Sequence, residues 1–153
     1  MTKKIMPFLW FDDRIEEAVD FYVKTFKDAS KGRVDRYPDG RVLTIAFRLF
    51  DQDFVALNGG DQYNFTEAIS FQVDCKDQAE VDYYWNALLA DGGEESMCGW
   101  LKDKYGLSWQ IVPEALPRLL GNPDPAKAKR AMDAMMTMRK LDVATLEKAA
   151  AAA

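Results

Sequence analysis

The sequence predicts an α+β fold made of two tandem βαβββ modules and a helical C-terminal extension. Three observations lead to this prediction: a strand, helix and three-strand pattern over the first 60 residues, the same plan over residues 67–113, and helix-forming residues after Pro113. A shift of 62 residues also aligns VDFY at 19–22 with VDYY at 81–84. Because helices and strands keep the same register in both halves, the spacing suggests an internal duplication.

The first module covers about residues 3–60. KIMPFLWF (4–11) is typical of a strand, and Pro7 favours an edge or end position. In DDRIEEAVDFYVKTF (12–26) the apolar residues recur at helical spacing, and Asp12 or Asp13 is expected as the N-cap. The turn YPDGR (37–41) precedes strands in VLTIAFRLF and FVALNGG.

The second module covers about residues 67–113. EAISFQVDC (67–75) alternates as a strand does, and DQAEVDYYWNALLADGG (77–93) predicts a helix that ends at a glycine pair. SMCGWLKD and LSWQIVP predict a hairpin around the charged turn KDKYG (102–106), in which Asp103 is expected to be solvated. We therefore expect one tandem domain at 1–113, with 114–153 as a helical extension of it.

The extension contains EALPRLLG (114–121) and a long helical segment at 124–150. Met132, Met135 and Met136 form a stripe at helical spacing. Such a stripe suits either an adaptable binding surface or the packing of a tail helix on the sheet, and we favour packing.

Composition excludes several classes of function. The net charge of −5 and the absence of a basic run argue against a nucleic-acid partner, and no apolar run approaches the ~20 residues that span a bilayer. The N-terminal apolar stretch lacks the features of a signal peptide, so we expect a cytoplasmic protein with Cys75 and Cys98 as free thiols. With 0 histidines, the chain has no imidazole ligand for zinc or iron and no imidazole to activate a nucleophile.

Strand alternation predicts one face that lines a ligand-binding cleft. Its aromatic side chains suit a planar or amphipathic small molecule, which a few amides orient by hydrogen bonds. The expected residues are Met6, Phe8, Trp10, Asn58, Ser70, Gln72, Ser108 and Gln110. The alternative, equally weighted, is that Phe8 and Trp10 only fill the space between sheets. Cys98 beside Lys102 or Lys104 has the setting of a nucleophile, but we favour a buried structural thiol.

Four segments carry a resemblance to a known family. PFLWFDDRIEEAVDFYVKTF, ALNGG, EAISFQVDCKDQAEVDYYWNAL and GGEESMCGWLKDKYGLSWQIVP resemble the PhnB-like branch of the vicinal oxygen chelate superfamily, often labelled demethylubiquinone methyltransferase-like. The superfamily includes glyoxalase I, extradiol dioxygenases and bleomycin-resistance proteins. The resemblance covers about residues 3–146. It implies a cleft of curved sheets with eight strands, and a homodimer.

The same resemblance places the metal positions of the catalytic members. By strand register they fall on Met6, Ala68, Gln110 and a position near Asn58. These side chains make a poor site for a divalent metal, since Met and Ala contribute nothing useful and amides are weak ligands. Methyl transfer from AdoMet is also disfavoured, because the chain has no G-x-G turn after a strand.

Two functions follow as expectations. The first is a small-molecule-binding protein without a metal or another cofactor. The alternative is an enzyme of the same superfamily, with lyase, dioxygenase or isomerase chemistry on a small metabolite, or with the methyltransferase activity of the branch's label. The absence of histidines favours binding.

Overall fold

The computed structural model describes residues 3–152, and the chain forms two compact units that divide between Phe65 and Thr66. Each unit contains a four-stranded mixed sheet and the helix that the sequence pattern predicts. The α+β class and the two βαβββ modules are therefore confirmed.

The first unit contains five elements, which span Phe8–Phe11 (β1), Ile15–Thr25 (α1), Ala29–Arg36 (β2), Val42–Leu49 (β3) and Gln52–Asn58 (β4). The strand order in its sheet is β1-β4-β3-β2, with β1 parallel to β4 and the other neighbours antiparallel. β1 is shorter than the predicted strand at 4–11. Pro7 has no N–H to donate, and only its carbonyl takes part in the pairing, accepting from Val55 N at 3.0 Å.

Helix α1 packs on one face of this sheet. Ile15, Ala18, Val19 and Tyr22 are completely buried, as the helical spacing predicts. The sheet face that they cover contributes mostly large apolar side chains, namely Leu9, Phe11, Ile45, Phe47, Leu49, Phe54 and Ala56. Alternation along the strands leaves Phe8 and Trp10 on the other face.

The predicted cap of α1 at Asp12 or Asp13 is wrong. Arg14 is the N-cap, and its side chain makes no capping hydrogen bond. The Ile15 N–H instead donates to Asn58 Oδ1 at 3.2 Å. A residue 43 positions away therefore caps the helix, which local sequence patterns do not reveal.

The second unit repeats the plan and adds three helices. Its elements are Phe71–Cys75 (β5), Gln78–Leu89 (α2), Glu94–Glu95 (β6), Trp100–Lys102 (β7), Ser108–Pro113 (β8), Ala115–Leu120 (α3), Pro125–Met135 (α4) and Val143–Ala151 (α5). The strand order is β5-β8-β7-β6, with β5 parallel to β8. Asp77 caps α2 by accepting from Glu80 N at 3.0 Å. The helix buries Val81, Tyr84, Trp85 and Leu88, as predicted.

Strand β7 is shorter than the prediction from SMCGWLKD because the chain turns sharply before it. Cys98 and Gly99 have φ angles of 59° and 84°. Their N–H groups donate to Met138 O at 2.7 Å and to Arg139 O at 2.8 Å, in the segment between α4 and α5. That segment is therefore not helical, and the predicted helix at 124–150 is interrupted.

The three added helices enclose a small apolar cluster of their own, together with the end of β8. Its buried members are Val112, Leu116, Leu119, Ala131, Leu141, Leu146 and Ala150. Met135 packs against this cluster, whereas Met132 and Met136 stay 43% and 57% exposed. The methionine stripe is thus only partly a packing surface.

Asp103 departs from the expected solvated turn. It is 2% exposed, and its carboxylate accepts from Tyr105 N at 2.8 Å, Leu107 N at 3.1 Å and Trp109 Nε1 at 2.9 Å. Three donors compensate for burying the charge, so this side chain holds the turn together.

Cys75 and Cys98 are both free, as expected. Cys75 is fully buried, while Cys98 is partly exposed and its thiol lies 3.8 Å from Met136 Sδ. Among the described residues, no helix has the length and apolar character needed to cross a membrane.

Candidate functional site: a polar sheet face in the second unit

The sheet of the second unit has one apolar and one polar face. Helix α2 covers the apolar face, where Val73, Leu101, Trp109 and Ile111 are buried. Residues that pair directly across strands share a face. Gln72, Gln110 and Trp100 therefore form one row on the polar face, and Ser108, Lys102 and Glu94 form the next.

Four residues predicted for the site meet on this polar face. Gln110 Nε2 donates to Ser70 Oγ at 2.9 Å, which holds the residue before β5 against β8. Gln72, the pairing partner of Gln110, donates through Nε2 to Asp74 Oδ1 at 2.6 Å. Ser108 lies two residues before Gln110 on the same strand. The structure thus brings Ser70, Gln72, Ser108 and Gln110 together, as the alternation predicts.

Ser108 differs from the other three because its hydroxyl is buried and unsatisfied. The residue is 1% exposed, and its Oγ has no hydrogen-bond partner among the residues that the structure describes. A buried hydroxyl without a partner costs about 1–3 kcal/mol, and such groups are uncommon in folded proteins. Contact with a ligand is one explanation for such a group.

Ser108 borders a cavity of about 190 Å³, which we call the Ser108 cavity. Strands β6, β7 and β8 and the segment before β5 provide its walls, through Glu67, Glu94, Glu95, Ser96, Trp100, Leu101, Lys102 and Ser108. The cavity combines an indole ring and a leucine with ionic side chains, which is the mixture found in sites for small amphipathic molecules.

The ionic side chains around the cavity are unequally engaged. Lys102 and Glu67 form an ion pair, and their hydrogen bond lowers the pKa of Glu67 and raises the pKa of Lys102. Glu95 accepts from Trp85 Nε1 at 3.2 Å and lies 3.5 Å from Arg139 Nη1. Within residues 3–152, the carboxylate of Glu94 makes no hydrogen bond or direct ion pair, but its charge acts on Lys102 and helps to raise the pKa of that lysine.

Three further predicted site residues belong to the first unit. Met6, just before β1, and Phe8 are 38% and 60% exposed, and Trp10 shares a face of β1 with Phe8. Trp10 donates through Nε1 to Gly60 O at 2.8 Å and meets Tyr63 edge-on at 5.0 Å. Its indole is therefore held in place by the ALNGG segment.

The glycine pair in ALNGG has a packing role that the sequence did not reveal. A Cβ on Gly59 would come within 2.4 Å of the Trp10 ring, and Gly60 has a φ of 95°. Gly60 therefore suits a turn that needs a left-handed backbone, whereas Gly59 leaves room for the Trp10 indole to lie against the backbone.

Asn58 does not share a face with Phe8 and Trp10. It pairs with Phe11, which is buried against α1, whereas Leu57 is the partner of Trp10. Besides capping α1, Asn58 donates through Nδ2 to Val42 O at 3.1 Å. The expected grouping with the aromatic residues is thus absent, and the carboxamide of Asn58 is occupied by structural hydrogen bonds.

The residues at the superfamily's metal positions do not fit a divalent ion. Met6 and Ala68 supply no oxygen or nitrogen ligand, Gln110 donates to Ser70, and both ends of the Asn58 carboxamide are engaged. Within the described residues, no group of three or more His, Cys, Asp or Glu side chains is arranged to hold a metal.

Comparisons with known proteins agree with this fold. The model of the 3-demethylubiquinone-9 3-methyltransferase family matches residues 3–112. The PhnB protein from Bacillus cereus is 32% identical, covers 72% of this chain and 99% of its own length, and superposes with a TM-score of 0.66. No curated protein matches the chain.

Two more distant structures share the fold alone. Protein PA1353 from Pseudomonas aeruginosa is 17% identical, with a TM-score of 0.61 over 74% of this chain and 98% of that one. The fosfomycin resistance protein FosX from Listeria monocytogenes is 12% identical, with a TM-score of 0.57 over 80% and 99%. The family model ends within β8, so helices α3 to α5 lie outside the segment that it matches.

Proposed function

Because this chain belongs to the 3-demethylubiquinone-9 3-methyltransferase family of the vicinal oxygen chelate superfamily, we propose that it binds a small molecule in the Ser108 cavity, without a metal ion. The observation that carries the proposal is the buried hydroxyl of Ser108, which lacks a protein partner and belongs to a residue that lines the cavity. A ligand atom in hydrogen-bonding contact with Ser108 would remove the cost of that unsatisfied group.

The neighbouring side chains support the same reading. The ring of Trp100 offers an apolar surface for a planar group, and Gln110 is held on the polar face by its hydrogen bond to Ser70. Both features suit a ligand that is oriented by a few polar contacts and packed against an aromatic wall.

Three matched probes test the proposal by ¹H–¹⁵N NMR: benzylamine, benzyl alcohol and benzoate. All three carry one phenyl ring, and they differ in charge at the attached group. We expect at least one of them to shift the amide signals of residues 94–102 and 108–110 in a saturable way. Absence of saturable shifts with all three would refute the proposed site.

The alternative function is catalysis, and the description of the family as methyltransferases favours it. Against methyl transfer from AdoMet, the chain has no G-x-G turn after a strand. Calorimetric titration of tag-free protein with Zn²⁺, Ni²⁺, Mn²⁺ and Fe²⁺ distinguishes a metal-free ligand-binding protein from a metal-dependent enzyme. We expect no stoichiometric binding, because the four metal positions lack suitable ligands. A tight 1:1 complex would favour the enzyme.

We also propose that the protein is a cytoplasmic homodimer, as members of this branch commonly pair. Sedimentation equilibrium of the tag-free chain, whose monomer mass is 17.4 kDa, tests the dimer directly.

A further inference from the structure

The charge around the Ser108 cavity indicates which ligand it accepts. Three carboxylates, from Glu67, Glu94 and Glu95, face one ammonium, from Lys102, so the lining has a formal charge of −2. Arg139 approaches Glu95 from the segment between α4 and α5 and offsets part of that charge. An anionic ligand would therefore add to an existing excess of negative charge.

Glu94 is the carboxylate left for a ligand. Lys102 engages Glu67, and Glu95 is engaged by Trp85 and Arg139. Glu94 pairs across the strands with Lys102, and Lys102 pairs with Ser108. Two strand spacings separate Glu94 from Ser108, or about 10 Å between backbones. One small ligand therefore reaches both side chains.

We propose that the natural ligand carries a positively charged amine or guanidine beside a hydrogen-bonding atom. This inference rests on the proposed function. The cation binds between Glu94 and Glu67, and the hydrogen-bonding atom meets the Ser108 hydroxyl. Lys102 fills the cation position when no ligand is bound, and it moves aside when the ligand enters.

The position of Lys102 supports this exchange. Its side chain is 36% exposed and that of Glu67 is 60% exposed. An ion pair so exposed contributes little to stability, so separating it costs little. The lysine lies directly opposite Ser108, whose hydroxyl is closed off from solvent, and its movement gives a ligand access to that hydroxyl.

The three probes test the charge of the ligand as well as the site. We expect benzylamine to bind more tightly than benzyl alcohol and benzoate to bind least, with the preference weakening as salt screens the carboxylates. Glu94→Gln should weaken benzylamine binding about tenfold, the effect of losing one charge-assisted contact. Glu114→Gln removes the same charge outside the cavity lining and should leave the affinity unchanged.

Lys102→Met is the decisive variant. It frees both carboxylates from the internal cation, so we expect tighter benzylamine binding, by about threefold. If benzoate binds most tightly of the three and Lys102→Met abolishes its binding, the ligand is not a cation. That result would leave the proposed function intact but overturn this inference. Equal affinities for all three probes would also overturn it. Failure of all three probes to bind would refute the proposed function and this inference with it.

Discussion

Asp103 shows how a single buried charge fixes a turn. Its two carboxylate oxygens accept three hydrogen bonds, two from the backbone of the turn and one from the Trp109 indole. The bonds hold the connection between β7 and β8, the two strands that place Lys102 and Ser108 opposite each other. The turn therefore contributes to the geometry of the Ser108 cavity.

Replacing Asp103 with Asn should reduce the free energy of unfolding by about 1–3 kcal/mol. The amide cannot accept from all three donors at once, so a buried N–H is left unsatisfied. Urea unfolding followed by tryptophan fluorescence measures the change. Asp61→Asn serves as the control, because Asp61 is exposed. Equal stability of the two variants would show that Asp103 has no such role.

Cys75 makes the stability depend on pH in the alkaline range. Burial raises the pKa of its thiol to about 12, and the nearby Glu80 and Asp74 add to the effect. An unfolded chain ionises the same thiol near its ordinary pKa of about 8.5. Between about pH 8.5 and 12 the unfolded state therefore binds fewer protons than the folded state, and stability falls as pH rises.

Between pH 7 and pH 10, we expect ionisation of the Cys75 thiol in the unfolded state to lower the free energy of unfolding of the wild type by about 2 kcal/mol. Cys75→Ala shares every other titrating side chain, so its stability should fall less steeply over the same range. Urea unfolding at pH 7, 9 and 10 gives both slopes. Parallel slopes for the two proteins would contradict the assignment.

The sequence was informative about which site residues share a face, and silent about their partners. Period-two alternation was sufficient to group Ser70, Gln72, Ser108 and Gln110. It did not indicate that Gln110 binds Ser70 while the Ser108 hydroxyl is left over, because that depends on distances across strands. Asn58 was misplaced by one position, and a shift of one residue along a strand moves a side chain to the opposite face.

Among the elements, those with strong apolar periodicity were predicted well. Helix α1 buries four of the five apolar positions expected of it, and the fifth, Phe26, is buried just after the helix ends; α2 buries all four of its expected positions. The errors fall where a distant segment provides the hydrogen bonds. Asn58 caps α1 from the end of β4, and the carbonyls of Met138 and Arg139 accept the N–H groups of Cys98 and Gly99. No local signal marks such contacts.

Gly99 is the point at which the segment between α4 and α5 joins the sheet. A Cβ there would lie 2.9 Å from Leu141 Cδ1 and 3.0 Å from Ile111 O. Gly106 has nearly the same φ, 85° against 84°, but a Cβ on it meets nothing within 4 Å. A comparison of substitutions at the two positions therefore distinguishes the cost of a left-handed backbone from the cost of steric crowding.

Gly106→Ala should cost about 1–2 kcal/mol of unfolding free energy, from the left-handed backbone alone. Gly99→Ala should cost about 1–3 kcal/mol more than Gly106→Ala, because its methyl group also crowds a packed contact. Chemical denaturation of both variants gives the difference. Equal losses would mean that Leu141 yields without cost and that the segment is loosely attached.

At the scale of the whole chain, the compact units divide at Phe65, and the helical extension belongs to the second unit. The match to the family model ends at residue 112, next to the expected boundary at residue 113, and the helices of the extension follow it. Those helices bury Val112 of β8, and Arg139 beside them approaches Glu95 at the Ser108 cavity. The extension therefore packs against β8 and contacts Glu95, a residue of the cavity lining.

The composition argument also applies at this scale. The chain has 0 histidines, and within its described residues no group of three or more His, Cys, Asp or Glu side chains is arranged to hold a metal, so it offers little to a divalent ion. The polar face of the second sheet carries the buried hydroxyl of Ser108 and the amides of Gln72 and Gln110. Carboxylates lie around the ring of Trp100 at the cavity. These groups suit recognition of a small molecule.

The most direct test of this account is urea unfolding of Ser108→Ala and wild type, without and with saturating 3-(hydroxymethyl)benzylamine, which adds to the ammonium of benzylamine a hydroxyl for the contact with Ser108. Without ligand, we expect the variant to be more stable by about 1 kcal/mol, because an unsatisfied buried hydroxyl is removed. With ligand, the stabilisation of the wild type should exceed that of the variant, because only the wild type binds tightly. A variant that is less stable, or that gains as much from this hydroxyl-bearing amine as the wild type does, would contradict the claim that the Ser108 hydroxyl contacts a ligand.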